Sequence, residues 1–130
     1  MAKHVRIGVV GAGFAAHFHL ASYAKVYGED FEIHGIYGRN RDKSAHLAKE
    51  FKIAKVYDTY EQMLADKEID VCDLVVANYM HIPLAIQAAN AGKHAKLLLL
   101  AAPAAEPYYP HIGFTHHPQA WMLGPDERVR

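Results

Sequence analysis

Gly11 and Gly13, followed by Phe14-Ala15-Ala16, are the residues whose types and spacing carry the most chemistry in this chain. They spell G-x-G-x-x-A. Gly11 permits a tight turn, and Gly13 lets the backbone approach an anion with no Cβ in the way. Ala16 keeps the following helix close to a sheet. The loop follows the β-branched run of residues 5–10 and opens an apolar helical stretch. Free N–H groups and the positive end of a helix dipole therefore face whatever sits over it. With a second strand at 31–37 this makes a βαβ unit of about thirty residues, the context in which such a loop receives the pyrophosphate of a dinucleotide. Gly11, Gly13, Phe14 and Ala15 are the expected phosphate contacts.

The end of the second strand decides which dinucleotide. It reads Tyr37-Gly38-Arg39-Asn40, with no acid to hold ribose hydroxyls; Glu32 lies at the wrong end of the strand and Asp42 beyond the turn. A small residue followed by arginine suits a 2′-phosphate, with space at Gly38 and a fixed cation at Arg39. The pattern predicts NADP(H) rather than NAD(H), the alternative being that Arg39 is a solvated turn residue.

Strands alternating with helices must position these groups. Helices are expected over 14–27, with Phe14, Phe18, Ala21 and Tyr23 on one apolar face, and over 42–51, 59–65 and 83–91. Thr59 and Gln62 form a capping box, and Pro83 and Gly92 bracket the fourth helix. Strands are expected at 5–10, 31–37, 55–57, 70–76 and 95–100. The order implies a doubly wound parallel α/β sheet of the Rossmann type over residues 1–100. Residues 101–130 hold five of the six prolines and no clear period, so an irregular tail is expected there.

The bulk composition narrows the partners. The chain has 130 residues, enough for one domain, and its 14 basic and 14 acidic side chains give no net charge to favour nucleic acid or an anionic membrane. One cysteine, Cys72, excludes an internal disulfide framework and suits a reducing compartment. The start shows no secretory pattern and no apolar run is long enough to span a bilayer, so a cytoplasmic protein is expected.

Four stretches resemble the N-terminal domain of the glucose–fructose oxidoreductase / inositol dehydrogenase (Gfo/Idh/MocA) family: residues 5–19, ending on His19; Ile36-Tyr37-Gly38-Arg39-Asn40; Val56-Tyr57-Asp58-Thr59-Tyr60-Glu61; and residues 69–94. The resemblance implies an oxidoreductase moving hydride between a nicotinamide cofactor and a CH–OH carbon of a sugar, polyol or related cyclic alcohol. It also implies a second domain supplying most of the substrate pocket, and leaves room for a homo-oligomer in intact members. Asn78 and His81 match the family's P-N-x-x-H segment beside the nicotinamide, with Ala77 where proline is usual. For Asn78 the alternative is a turn or helix-capping residue.

The family's catalytic lysine lies in a Glu-Lys-Pro segment, and the aligned positions here are Leu98, Leu99 and Leu100. Lys96 precedes that segment and cannot replace it. No catalytic residue is therefore assigned, and the chain alone is expected to be inactive. Family-like sequence giving way to unpatterned residues predicts a reading-frame shift near residue 95, which translating the other frames of the DNA would test. A non-catalytic nucleotide-binding module or regulatory protein is the second expectation, from a different class.

The remaining constellations suggest no metal. His17 and His19 are two apart on a helix and point to different faces. His111, His116 and His117 lack zinc-like spacing or acidic partners. Cys72 lies between apolar neighbours and reads as a buried, inert thiol.

Overall fold

The computed structural model describes residues 4–91, 96–99, 110–111, 115–117 and 120–123. The elements are β1 (Val5–Val10), α1 (Phe14–Tyr23), β2 (Phe31–Tyr37), α2 (Arg41–Glu50), β3 (Lys55–Val56), α3 (Tyr60–Ala65), β4 (Val71–Leu74), α4 (Asn78–Ala91), β5 (Lys96–Leu99), β6 (Thr115–His117) and β7 (Ala120–Leu123). They build one sheet in the order β3-β2-β1-β4-β5-β7-β6. The first five strands are parallel, as the doubly wound reading requires. The chain reverses direction across the sheet between β1 and β4, and ligands of such sheets lie outside the strand ends at that point.

β1 is buried on both faces, and the two-residue period of a strand sends its neighbours to opposite sides. Val9, fully buried, joins Ala16 and Leu20 of α1, Leu47 of α2 and Ile36 of β2. Val10 joins Tyr60 and Met63 of α3, Leu74 of β4 and Ala85 of α4 on the other face. Each buried valine, leucine, isoleucine or methionine among them contributes about 1.5–3 kcal/mol by leaving water, so both helical layers are locked to the same central strand.

Local signals set the helix starts. The Asn40 side chain accepts from the Lys43 amide at 3.1 Å to cap α2, and Thr59 Oγ1 accepts from the Gln62 amide at 3.1 Å to cap α3. Three expectations need correction. Helix α1 buries the stripe Ala16–Leu20 and leaves Phe14 and Phe18 exposed; both sets fit the helical period, and only the sheet decides between them. Helix α4 starts at Asn78, not Pro83: a turn from the Met80 amide to the Ala77 carbonyl at 2.8 Å begins it upstream. Pro83 then sits inside the helix and removes one hydrogen bond from it. In the tail, β6 and β7 form an antiparallel pair that joins β5 through Leu97–Leu123, Leu98–Met122 and Leu99–Trp121. Strands of three and four residues fit in the gaps between Pro110, Pro118 and Pro125, so those seven residues are ordered into the sheet rather than irregular. The other expectations for 101–130 fall outside the described residues, apart from Pro110 and His111.

Candidate dinucleotide site

Gly11 sits at the end of β1 with φ +127°, a left-handed backbone that favours glycine. A Cβ there would lie 2.0 Å from the carbonyl oxygen of Val75. The Gly11 amide donates to the Tyr37 carbonyl at 2.7 Å, and the Val75 amide donates to the Val10 carbonyl at 2.8 Å. The loop is thus wedged between the carboxyl ends of β2 and β4. Gly13 differs: its φ is −91°, and a Cβ would meet nothing within 4 Å. What Gly13 keeps clear is open space over the start of α1. That helix has no side-chain cap and no acid in its first turn. Its first amides and its dipole are therefore left for an anion.

These elements enclose a cleft of about 590 Å³. Gly11, Gly13, Phe14, Ala15, Gly38 and Arg39, all expected from sequence, line it together. Phe14, 88% exposed, stands at its mouth. Gly38 plays a different part from the one its sequence suggested. A Cβ on it would lie 2.7 Å from both the Ala12 Cβ and the Ser44 Oγ. Glycine is required there so that the β1–α1 loop and α2 can close on the β2 end, and the space is already filled by protein.

His81 does not line the cleft. It is 9% exposed, and its Nε2 lies 2.8 Å from the Val76 carbonyl oxygen. Since a carbonyl only accepts, Nε2 carries the proton in this contact. The imidazole ties the start of α4 to the strand-end segment whose Val75, Val76 and Ala77 form a wall of the cleft. Asn78 is the first residue of α4, directly after Ala77. Leu98 and Leu99 lie on β5; Leu100 is outside the described residues.

Several cleft residues carry no motif. Lys43 reaches it from the first turn of α2, while Asp42 faces a neighbouring hollow. Neither Arg39 nor Lys43 has a carboxylate partner among the described residues, whereas Arg41 is paired with Asp58. Glu61 on α3 also lines the cleft; its own backbone amide and then the Gln87 side-chain amide, at 2.9 Å, hold its carboxyl below the ordinary range. Tyr60 donates to the Leu84 carbonyl at 2.8 Å and stacks on Tyr37 at 6.0 Å between ring centroids. Burial, with smaller contributions from Cys72 and Glu61, raises the Tyr60 hydroxyl well above its usual range, so it stays a donor. Helical spacing from the capping box and from Arg39 could have pointed to Glu61 and Lys43; nothing local points to Gln87.

The unacidic helix start, the open face of Gly13 and the left-handed Gly11 at the sheet's reversal define the class: a dinucleotide-binding domain. Residues 5–97 match the oxidoreductase family with an NAD-binding Rossmann fold. The chain therefore belongs to the Gfo/Idh/MocA oxidoreductases. An uncharacterized oxidoreductase of Rhizobium meliloti is 35% identical over 91 residues, covering 69% of this chain and 27% of the relative. The UDP-N-acetylglucosamine 3-dehydrogenase of Acidithiobacillus ferrooxidans is 29% identical over 91 residues, covering 70% and 27%. Among solved structures, an NAD-binding protein from Listeria innocua superposes with a TM-score of 0.62 at 26% identity, over 73% of this chain and 26% of that one. The chain thus spans about a quarter of the length of the relatives it matches. Among the described residues no helix is long and apolar enough to cross a membrane.

Proposed function

We propose that this chain is the NADP(H)-binding part of an oxidoreductase acting on CH–OH groups of a sugar, polyol or related cyclic alcohol in the cytoplasm. The cofactor reading is carried by Arg39 and Lys43, two cleft cations without a carboxylate partner among the described residues, at the strand end where a carboxylate would serve ribose hydroxyls. The donor set fits the group. The amides beginning α1 would hold the pyrophosphate, Gly13 would admit it, and the two cations would take a 2′-phosphate. When bound, the nicotinamide supplies the carbon that carries hydride. The substrate class is supported by the resemblance to a sugar-nucleotide dehydrogenase. With leucines aligned to the family's lysine segment, nothing in that position can exchange the substrate hydroxyl proton. We infer that the 130-residue chain alone binds cofactor without turnover.

Calorimetric titration with NADPH and with NADH tests this. NADPH is expected to bind at least about tenfold more tightly, a charge-assisted hydrogen bond being worth about 1.5–3 kcal/mol. Arg39→Ala and Lys43→Ala should each remove most of that preference while leaving NADH affinity within about twofold. Tighter NADH binding overturns the cation reading, and binding of neither overturns the cradle.

A further inference from the structure

A second constellation lies on the α3 side of the sheet, away from the cofactor cleft. In the β1–β2 pairing Ile7 faces Ile33 and Gly8 faces Gly35, so His34 is the extra residue of a β-bulge. Bulges re-aim a side chain. His34 Nδ1 lies 3.0 Å from Glu32 Oε1, and its Nε2 lies 3.5 Å from Asp66 Oδ2 and 3.2 Å from Glu68 Oε2. Asp66 and Glu68 come from the loop between α3 and β4.

His34 Nε2 is buried and makes no hydrogen bond, and it is the one such side-chain atom among the described residues. A carboxylate only accepts, so the contact with Glu32 places a proton on Nδ1. In the neutral ring Nε2 then turns a lone pair toward two carboxylates. Nε2 and the two carboxylate oxygens converge with no hydrogen bond from Nε2 to either of them. Asp66 Oδ2 also accepts from the Tyr57 hydroxyl at 2.6 Å and from Lys55 Nζ at 3.0 Å, so the positive charge now beside the cluster is a displaceable ammonium. A ring nitrogen facing the centre and a carboxylate on the other nitrogen is also the way proteins orient a metal-binding imidazole.

The spacing fits a particular kind of ion. With metal–ligand bonds of about 2.0–2.2 Å, the edge of a tetrahedron is about 3.4 Å. The two distances from Nε2 bracket that value, and all three ligand atoms lie within 4.8 Å of one another. Glu68 is 57% exposed and can close the third edge by rotation. Imidazole plus carboxylates suits zinc-like ions better than magnesium or calcium, which favour oxygen alone. We propose that His34, Asp66 and Glu68 form a binding site for a divalent cation of the zinc class, with Glu32 orienting the imidazole and the fourth position open to water. The ion would clamp the β2 bulge to the α3–β4 loop. Lys55 is its competitor: its Nζ lies 3.0 Å from Asp66 Oδ2 and 3.8 Å from Glu68 Oε2, on a half-exposed, flexible side chain.

The test is titration of the EDTA-treated chain with Zn2+ by calorimetry, and with Co2+ by visible absorption, which reports tetrahedral coordination. The wild type should bind one equivalent and gain thermal stability with it. His34→Gln should weaken Zn2+ binding at least about tenfold and lose the Co2+ bands, whereas Lys55→Met should bind more tightly, since its ammonium no longer occupies the carboxylates. With ten histidines in the chain, His46→Gln serves as the control that keeps the site. Should His34→Gln fail to fold, Glu68→Gln on its exposed side chain must show the same loss. Unchanged Zn2+ affinity in these ligand variants, or weaker binding by Lys55→Met, overturns the proposal.

Discussion

Gly11 and Gly13 stand two residues apart and answer to different demands. At Gly11 the conformation is left-handed and the space is filled by the backbone oxygen of Val75, which cannot rotate away. Gly11→Ala should cost at least about 1–3 kcal/mol from the conformation alone, with the contact added, and is expected to lower the urea midpoint sharply. At Gly13 neither constraint applies. Gly13→Ala should change folding stability by no more than about 1 kcal/mol yet weaken dinucleotide binding about tenfold or more, because the methyl group enters the space the pyrophosphate would occupy. Equal loss of stability in both variants would show that Gly13 is a folding residue instead. The sequence pattern marked both glycines, since each property is written in the residue type. It did not separate the roles of Gly38 and His81. Those depend on Ala12, Ser44 and Val76 arriving from elsewhere, and a small residue looks the same whether it leaves space or lets a neighbour fill it.

Among the elements, α1 matters most, because its N-terminus would be the phosphate end of the proposed site. Asp73 on β4 fixes it. One carboxylate oxygen lies 2.8 Å from His19 Nδ1 and accepts from the Tyr23 hydroxyl at 2.8 Å, so residues on successive turns of α1 meet at one point of the sheet. Burial first, then the charge and hydrogen bond of Asp73, raises the Tyr23 hydroxyl well above its ordinary range and keeps it a donor. Tyr23→Phe should cost about 1.5–3 kcal/mol, as expected for a hydrogen bond to a charged group. Combined with Asp73→Asn it should show a coupling of about 1 kcal/mol in a double-mutant cycle; strict additivity would mean the two groups act independently. This anchor was invisible in the sequence because its partners are 50 and 54 residues apart. The Thr59–Gln62 cap was visible because it closes within one turn. The bulge that turns His34 toward Asp66 was hidden for the same reason as the anchor: it is a property of the β1–β2 register, not of β2 alone.

At the scale of the molecule, two helical layers share the central strands, and ionisable groups buried between them set how the fold responds to alkali. Cys72 on β4 packs against Tyr60, Met63 and Leu74. Burial, with a smaller contribution from Asp73, pushes its thiol up to about 12 from an ordinary 9.0. In the unfolded chain the thiol ionises near its ordinary value, so between about pH 9 and 12 the native state holds a proton that the unfolded state has released. Stability contributed by this group is therefore complete below about pH 9 and declines as pH rises through that window. Burial raises the Tyr23, Tyr57 and Tyr60 hydroxyls too, extending the decline above about pH 10. From pH 8 to pH 10 the thiol alone should remove about 1 kcal/mol of unfolding free energy, measured by urea titration at the two pH values. Cys72→Ala should start lower, having lost buried volume, but fall less steeply over the same interval. An equal slope in the variant would show that the thiol ionises as readily in the folded chain as in the unfolded one, and that the core around β4 admits water.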